Sequence, residues 1–295
     1  MSSTIQHLSL MDIHPRELRS FVTELPTLPV VFQELFSRMQ DPDTQVSELS
    51  EVITRDQALT VKILKLVNSA FYGRSSQITT INRAVIIMGF QAVRSAALAV
   101  SVFERFKGME SGASAFTMEG FWRHSIGVSC LAKQMSQVLG IGQPEDAFVA
   151  GLLHDIGKLV MMQHFPNDVD ELTRAASEQQ LTWQAGEEAL FPIHHYTIGR
   201  ALFRAWNFPA PVVEAVFCHH NPERASRHAV LACLVNLADF FSYHMECGCP
   251  GASAPRTHSQ DAANLVGLTP DLANQVLEGA QEELDESLEL LKLLD

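Results

Sequence analysis

His154 and Asp155 stand side by side in the stretch Gly151-Leu-Leu-His-Asp-Ile-Gly-Lys158, an otherwise apolar run closed by a lysine. Threaded on a single helix, His154, Lys158 and Asp155 fall at about 0°, 40° and 100°, a shared arc with Gly151 between them and Leu152, Leu153, Ile156, Leu159 and Val160 opposite. The glycine is expected to leave a floor beside that arc which another group can approach closely. Further ionisable groups sit in apolar or aromatic surroundings: His124 behind Phe121 and Trp122, the doublets His194-His195 and His219-His220, and Asp239 within Leu234-Val-Asn-Leu-Ala-Asp-Phe-Phe241. An ionised carboxylate in such a run costs several kcal/mol unless a cation or donor meets it, so Asp239 demands a partner. His124, His154, His195, His219 and His220 with Asp155 and Asp239 make five imidazoles and two carboxylates, enough for two divalent ions. Helical bundle cores assemble such carboxylate-imidazole centres, and the donor types suit Fe, Mn, Co, Ni or Zn. A carboxylate such as Asp155 can bridge two ions, and an ion pair can activate water and clamp phosphoryl oxygens. Lys158, on the same arc, is placed to meet a phosphate charge.

Each residue alone also has an ordinary explanation. A His-Asp pair can be a solvated helix face, a lone His124 can be a hydrogen-bonded core histidine, and His219 and His220 can interact with a helix C-terminus. The joint occurrence on helices able to pack together is what points to a shared centre.

The elements that must position these groups are helical. Apolar residues recur every three or four positions, alternating β-branched runs are scarce, and turn residues separate segments of roughly 8 to 20 residues. The expected fold is all-α: a five-helix N-terminal layer followed by a second helical bundle. Residues 1–19 read as an extension and 20–106 as the first unit, with helices over Leu28–Gln40, Val46–Arg55, Gln57 to the Gly73 stop, Ile81–Gly89 and Gln91–Phe106. Thr44, Asp56 and Thr80 are the expected caps. Residues 107–120 form a linker, 121–245 the second unit, and 246–295 a loop with closing helices. Within the second part, helices are expected at 121–139, 145–163, 167–180, 183–205, 209–220, 228–245, 260–266 and 270–293.

At 295 residues the chain can bury a large core without staples. Five cysteines (Cys130, Cys218, Cys233, Cys247, Cys249) show no paired framework, and Cys247 and Cys249 read as surface thiols in a loop, consistent with a reducing, cytoplasmic setting. The sequence carries no run long enough to span a membrane. A formal charge of −13 opposes binding along a nucleic-acid polymer, although a local basic pocket stays compatible with it. A DNA-reading role for the segment around Arg55, Lys62, Lys65 and Arg74 is disfavoured for the same reason.

The order H…HD…H…HH…D resembles the HD phosphohydrolase superfamily, and the whole chain resembles its HDOD branch of bacterial signalling proteins. The resemblance rests on Leu25–Val31, Ile53–Gly73, Ile81–Ala99, Phe121–Met135, Glu145–Val160, His194–Pro222 and Leu234–Phe241, and covers residues 20 to 245. It implies an HD-type bundle whose basic metal set is His124, His154, Asp155 and Asp239, with His195, His219 and His220 as the additional ligands of a two-ion centre. It further implies Lys158 as a phosphate contact. After His219-His220 the chain runs Asn-Pro-Glu-Arg without a GYP motif, which weakens cyclic di-GMP hydrolysis. Gly120 stands where some members carry a glutamate for a third metal, so at most two ions are expected.

Two functions follow from that resemblance. The first is a cytoplasmic bacterial output module whose conformation is read by an unidentified signalling partner, with iron foremost among the divalent metals and Mn, Ni, Co or Zn as alternatives. The second is an active metal-dependent phosphohydrolase or phosphodiesterase on a nucleotide or other phosphate-containing ligand, with Asp155 and Lys158 at the reacting group. No membrane or nucleic-acid polymer partner is expected in either.

Overall fold

The structure, a computed structural model, describes residues 10, 33–35, 37–38, 44–68, 77–109, 116–245, 247 and 259–294. Every regular element among the described residues is helical, as the 3.6-residue periodicity requires. The N-terminal layer comprises α1 (Val46–Thr54), α2 (Gln57–Val67), α3 (Ile81–Met88) and α4 (Phe90–Phe106). Asp56 Oδ1 accepts from the Leu59 amide at 3.0 Å and Thr80 Oγ1 from Arg83 at 3.2 Å, so both act as N-caps. Thr44 does not: its hydroxyl donates to the Arg38 carbonyl, and Gln45 and Glu48 close the first turn of α1 as a capping box. The first expected helix falls largely, and the Gly73 stop wholly, outside the described residues.

The second part runs through α5 (Met118–Leu139), α6 (Pro144–Leu153), α7 (Ile156–His164), α8 (Pro166–Gln179), α9 (Trp183–Leu190), α10 (His195–Ala205), α11 (Ala210–Cys218), α12 (Ala229–His244), α13 (Gln260–Val266) and α14 (Pro270–Leu294). Helix α5 is the axis. It packs against α6, α12 and α14, while α7 lies on α10 and α10 on α11. α4 crosses from the N-terminal layer onto α6, where Arg94 approaches Asp146 at 3.6 Å and Ser95 meets the Glu145 carbonyl.

Two expected helices are each broken in two, and both breaks serve the centre described below. Residues 145–163 are interrupted at His154-Asp155, where Asp155 adopts φ −97°, ψ 6° and its carbonyl takes the Lys158 amide in a tight i to i+3 turn. Residues 183–205 are interrupted at Phe191–His194 because Pro192 lacks a donor and forces Phe191 into an extended conformation, φ −124°, ψ 141°. The 145–163 segment also has no solvated charged face, since residues 147–162 are all buried. The group that approaches Gly151 closely is the α5 backbone: a Cβ there would lie 2.8 Å from the Val128 carbonyl oxygen. Cys247 is buried against Gly127, not a surface thiol, and Cys249 lies outside the described residues.

Candidate metal centre

The two breaks turn the ends of four helices toward one point. His154 and Asp155 come from the α6–α7 turn, His195 is the first residue of α10, and His219 and His220 follow the last residue of α11. His124 and Asp239 project from α5 and α12. The Asp155 carboxylate is the hub, with no exposure. Its Oδ2 lies 3.2 Å from His154 Nε2 and 3.7 Å from His124 Nε2, while its Oδ1 lies 3.2 Å from His195 Nε2 and 3.7 Å from His219 Nε2. Asp239 Oδ1 completes the first side, at 3.1 Å from His124 Nε2 and 3.7 Å from His154 Nε2. His220 Nε2 completes the second, at 3.2 Å from His195 Nε2. The other six candidate metal ligands are thus brought around the Asp155 carboxylate.

The fit to divalent cations can be judged from the outward ring nitrogens. His154 Nδ1 is 2.7 Å from the Gly151 carbonyl and His219 Nδ1 is 2.7 Å from the Val216 carbonyl, acceptors that require a proton on Nδ1. His195 Nδ1 is 2.6 Å from Glu187 Oε2, and His124 Nδ1 is 3.3 Å from the Ser242 hydroxyl. With Nδ1 acting as donor, Nε2 presents its lone pair to the centre, the arrangement that orients metal-binding histidines. Within the described residues, two groups have donor atoms close enough to share an ion: His124, His154 and Asp155, and Asp155, His195, His219 and His220. Either group could hold a metal ion, and Asp155 belongs to both.

Electrostatics follow from the same packing. Burial alone would raise the Asp155 carboxyl, but His154 and Lys158 beside it hold it well below the usual carboxylate range. Burial, reinforced by His154 and His195, pushes His219 well below the usual imidazole value, so it is neutral. His195 moves the other way, since Glu187 and Asp155 on its two sides outweigh the burial that would lower it.

Lys158 is fully buried, its Nζ 2.6 Å from Asp155 Oδ2 and 4.9 Å from the centre of the Trp183 ring. His194, the one histidine of the doublets left out of the candidate set, bonds instead to the Tyr196 hydroxyl. A cleft of about 80 Å³ beside the centre is lined by Thr182, Trp183, Gln184, His220, Asn236 and Asp239.

Glu187 was not among the residues the sequence pointed to. It has no exposure, and its two oxygens accept from the His195 amide at 3.0 Å and from the His195 ring, fixing both backbone and imidazole. The signal was present: Trp183, Gly186, Glu187 and Leu190 share the inward i, i+3, i+4, i+7 stripe of α9, so this glutamate occupies an apolar position. Asn236 is a second such residue, donating to the His219 carbonyl at 2.8 Å and accepting from the Ser259 amide. Glu187→Gln preserves the shape and removes the charge behind His195. It is expected to weaken metal binding about 10–100-fold, the range for such outer partners, as read by competition with a calibrated chelator.

Comparison with known proteins places this arrangement in context. The family model described as HDOD domain matches residues 25–222. An uncharacterized protein of Treponema pallidum (strain Nichols) is 25% identical over 238 residues, which is 80% of this chain and 45% of that protein. The chain therefore spans less than half the length of this curated relative. The crystal structure of a provisionally named phosphohydrolase from Shewanella amazonensis SB2B superposes with a TM-score of 0.73 at 25% identity, covering 93% of this chain and 99% of the other. A provisionally named signal transduction protein from Marinobacter aquaeolei VT8 shares the fold, with a TM-score of 0.76 at 21% identity over 98% of this chain and 64% of that one.

Proposed function

We propose that this chain, which belongs to the HDOD domain family, is a signalling output module in which a two-ion His/Asp centre sets the packing of the helices and a partner protein reads that packing. The observation that carries this reading is the contrast between a complete, buried donor set and the narrowness of its approach. Ligand pockets that enclose a small organic molecule have volumes of about 300–1,000 Å³, whereas the described cleft at this centre measures about 80 Å³. Lys158 points inward to Asp155 rather than into that cleft. Helix α4 rests on α6, which ends at His154, so a change at the centre is carried directly into the N-terminal layer. Iron is the first choice of ion, with Mn, Ni, Co and Zn compatible with the same donors.

A second reading, metal-dependent phosphohydrolase, is favoured by the name of the Shewanella relative. Two bound ions would supply Lewis-acid polarisation of phosphoryl oxygens and lower the pKa of water. Asp155 would hold both halves of the site in register, and Lys158 would exchange its bond to Asp155 Oδ2 for one to a phosphate oxygen. The imidazoles of His154, His195 and His219, anchored through Nδ1, would keep their Nε2 atoms fixed during the reaction. Trp183 would shield the lysine from water.

Elemental analysis of anaerobically purified protein, with hydrolysis of a nucleotide panel by the wild type and by Asp155→Asn, separates the two. The module reading expects bound transition metal and no turnover. Turnover that is abolished by the substitution would replace it with the enzyme reading.

A further inference from the structure

Away from the metal centre, a cavity of about 920 Å³ opens where α4, α10, α11 and the 222–228 segment meet. Five arginines line it: Arg94, Arg200, Arg204, Arg224 and Arg227. In a chain with 21 basic residues and a formal charge of −13, this is a local reversal of sign.

The single acidic residue named among its walls, Glu214, is already committed. Its carboxylate accepts from the amides of Ser226 at 2.8 Å, Arg227 at 3.3 Å and His228 at 2.8 Å and from the Ser226 hydroxyl, and so shapes the loop that carries Arg227. Arg94 is engaged with Asp146 and Gln91. Arg200, Arg204, Arg224 and Arg227 form no ion pair with a carboxylate among the described residues. Arg200 is held 4.1 Å over the ring of Phe217; burial, and then the charge of Arg204 one turn on, lower its pKa against a smaller opposing pull from Glu214. Like charges gathered in one concave site are costly unless an anion joins them.

We propose that this cavity binds a nucleotide carrying two or more phosphate charges. Guanidinium groups meet phosphate oxygens in bidentate pairs, and Arg200 and Arg204 on α10 face the space from one side while Arg224 and Arg227 of the 222–228 segment line it from another. Phe208, Pro209, Val213 and Phe217 supply an apolar wall for a planar base. The volume lies within the range of small-molecule sites. A nucleic-acid polymer fits less well, because it needs a continuous basic track rather than one cavity on an acidic surface. This site is independent of the metal reading, although α10 and α11 carry both Arg200 and Phe217 and lead to His195 and His219.

Calorimetric titration of the metal-loaded protein with ATP, GTP, tripolyphosphate and adenosine tests it. Both triphosphates are expected to bind, tripolyphosphate more weakly, and adenosine not measurably. Arg204 and Arg224 are exposed, so the Arg204→Gln/Arg224→Gln protein should keep its melting temperature while its affinity for ATP falls at least about 10-fold, two charge-assisted contacts being lost. The proposal is overturned if no triphosphate binds at millimolar concentration. It is equally overturned if binding survives the arginine substitutions but not metal removal, or if a single-stranded oligonucleotide binds more tightly than ATP.

Discussion

Asp155→Asn is expected to reduce the metal content, from the two ions proposed to one or none, and to weaken residual binding by more than about 100-fold, since even outer partners of metal ligands are worth about 10–100-fold. The carboxylate serves both halves of the centre, Oδ2 toward His124, His154 and Lys158 and Oδ1 toward His195 and His219. An amide removes the charge and replaces one acceptor with a donor. Whichever way it is turned, its NH2 faces either the Lys158 ammonium at the 2.6 Å contact or the His195 Nε2 at the 3.2 Å contact. Breaking a buried ion pair by removing one partner costs about 3–5 kcal/mol, so the metal-free protein should also melt earlier. Elemental analysis and thermal unfolding of the two proteins side by side provide the check. Full metal occupancy in the variant would contradict a hub at Asp155.

Gly157→Ala should be the most damaging single-methyl insertion near the centre. A Cβ at this position would fall on the His195 carbonyl oxygen, 2.7 Å from the His195 carbonyl carbon and 3.0 Å from the Gly199 amide nitrogen. All three are backbone atoms, so no rotamer change relieves the overlap, and α7 must move away from α10. Overpacking of a tight interior costs about 1–3 kcal/mol, and this contact belongs at the upper end. The displacement also draws His195 from Asp155, so loss of the ion held by His195, His219 and His220 is expected. Gly199→Ala is the matched comparison: its Cβ would meet a Val216 methyl at 3.1 Å, a side chain able to shift, and the loss should be smaller. Chemical denaturation and metal counts on both variants test the ordering, and equal behaviour would show that the α7–α10 approach is not what fixes His195.

The sequence carried the helical class and most boundaries because helix caps and apolar periodicity are local signals. Asp56 and Thr80 cap as their chemistry suggests, and α12 and α13 begin and end within a residue or two of the polar positions that bound them. The identity of the clustered residues was legible for a different reason: Asp239 lies in a run too apolar to leave a carboxylate without a partner, and the order H…HD…H…HH…D resembles the HD superfamily. The breaks were less accessible. Pro192 marked one, and its effect on Phe191 was readable, but the turn at His154-Asp155 follows from how α7 closes on α10 through Gly157, a contact between segments remote in sequence.

Glu187 stands beside Glu188, one buried and the other exposed, and only the helical stripe it shares with Trp183 and Gly186 tells the two apart. The arginine cavity was equally invisible, because its members are scattered from Arg94 to Arg227 and the overall charge has the opposite sign. Cys247 shows the reverse error, a residue in a loop-like sequence that folding places against Gly127.

Two cations are expected to share the Asp155 carboxylate. Anomalous difference maps collected at the iron edge from crystals of anaerobically purified protein measure this directly. Two peaks are expected, one among His124, His154 and Asp239 and the other among His195, His219 and His220, with Asp155 between them. Crystals from metal-replete protein with no anomalous peak inside this ring of residues, and Lys158 still bonded to Asp155, would contradict it.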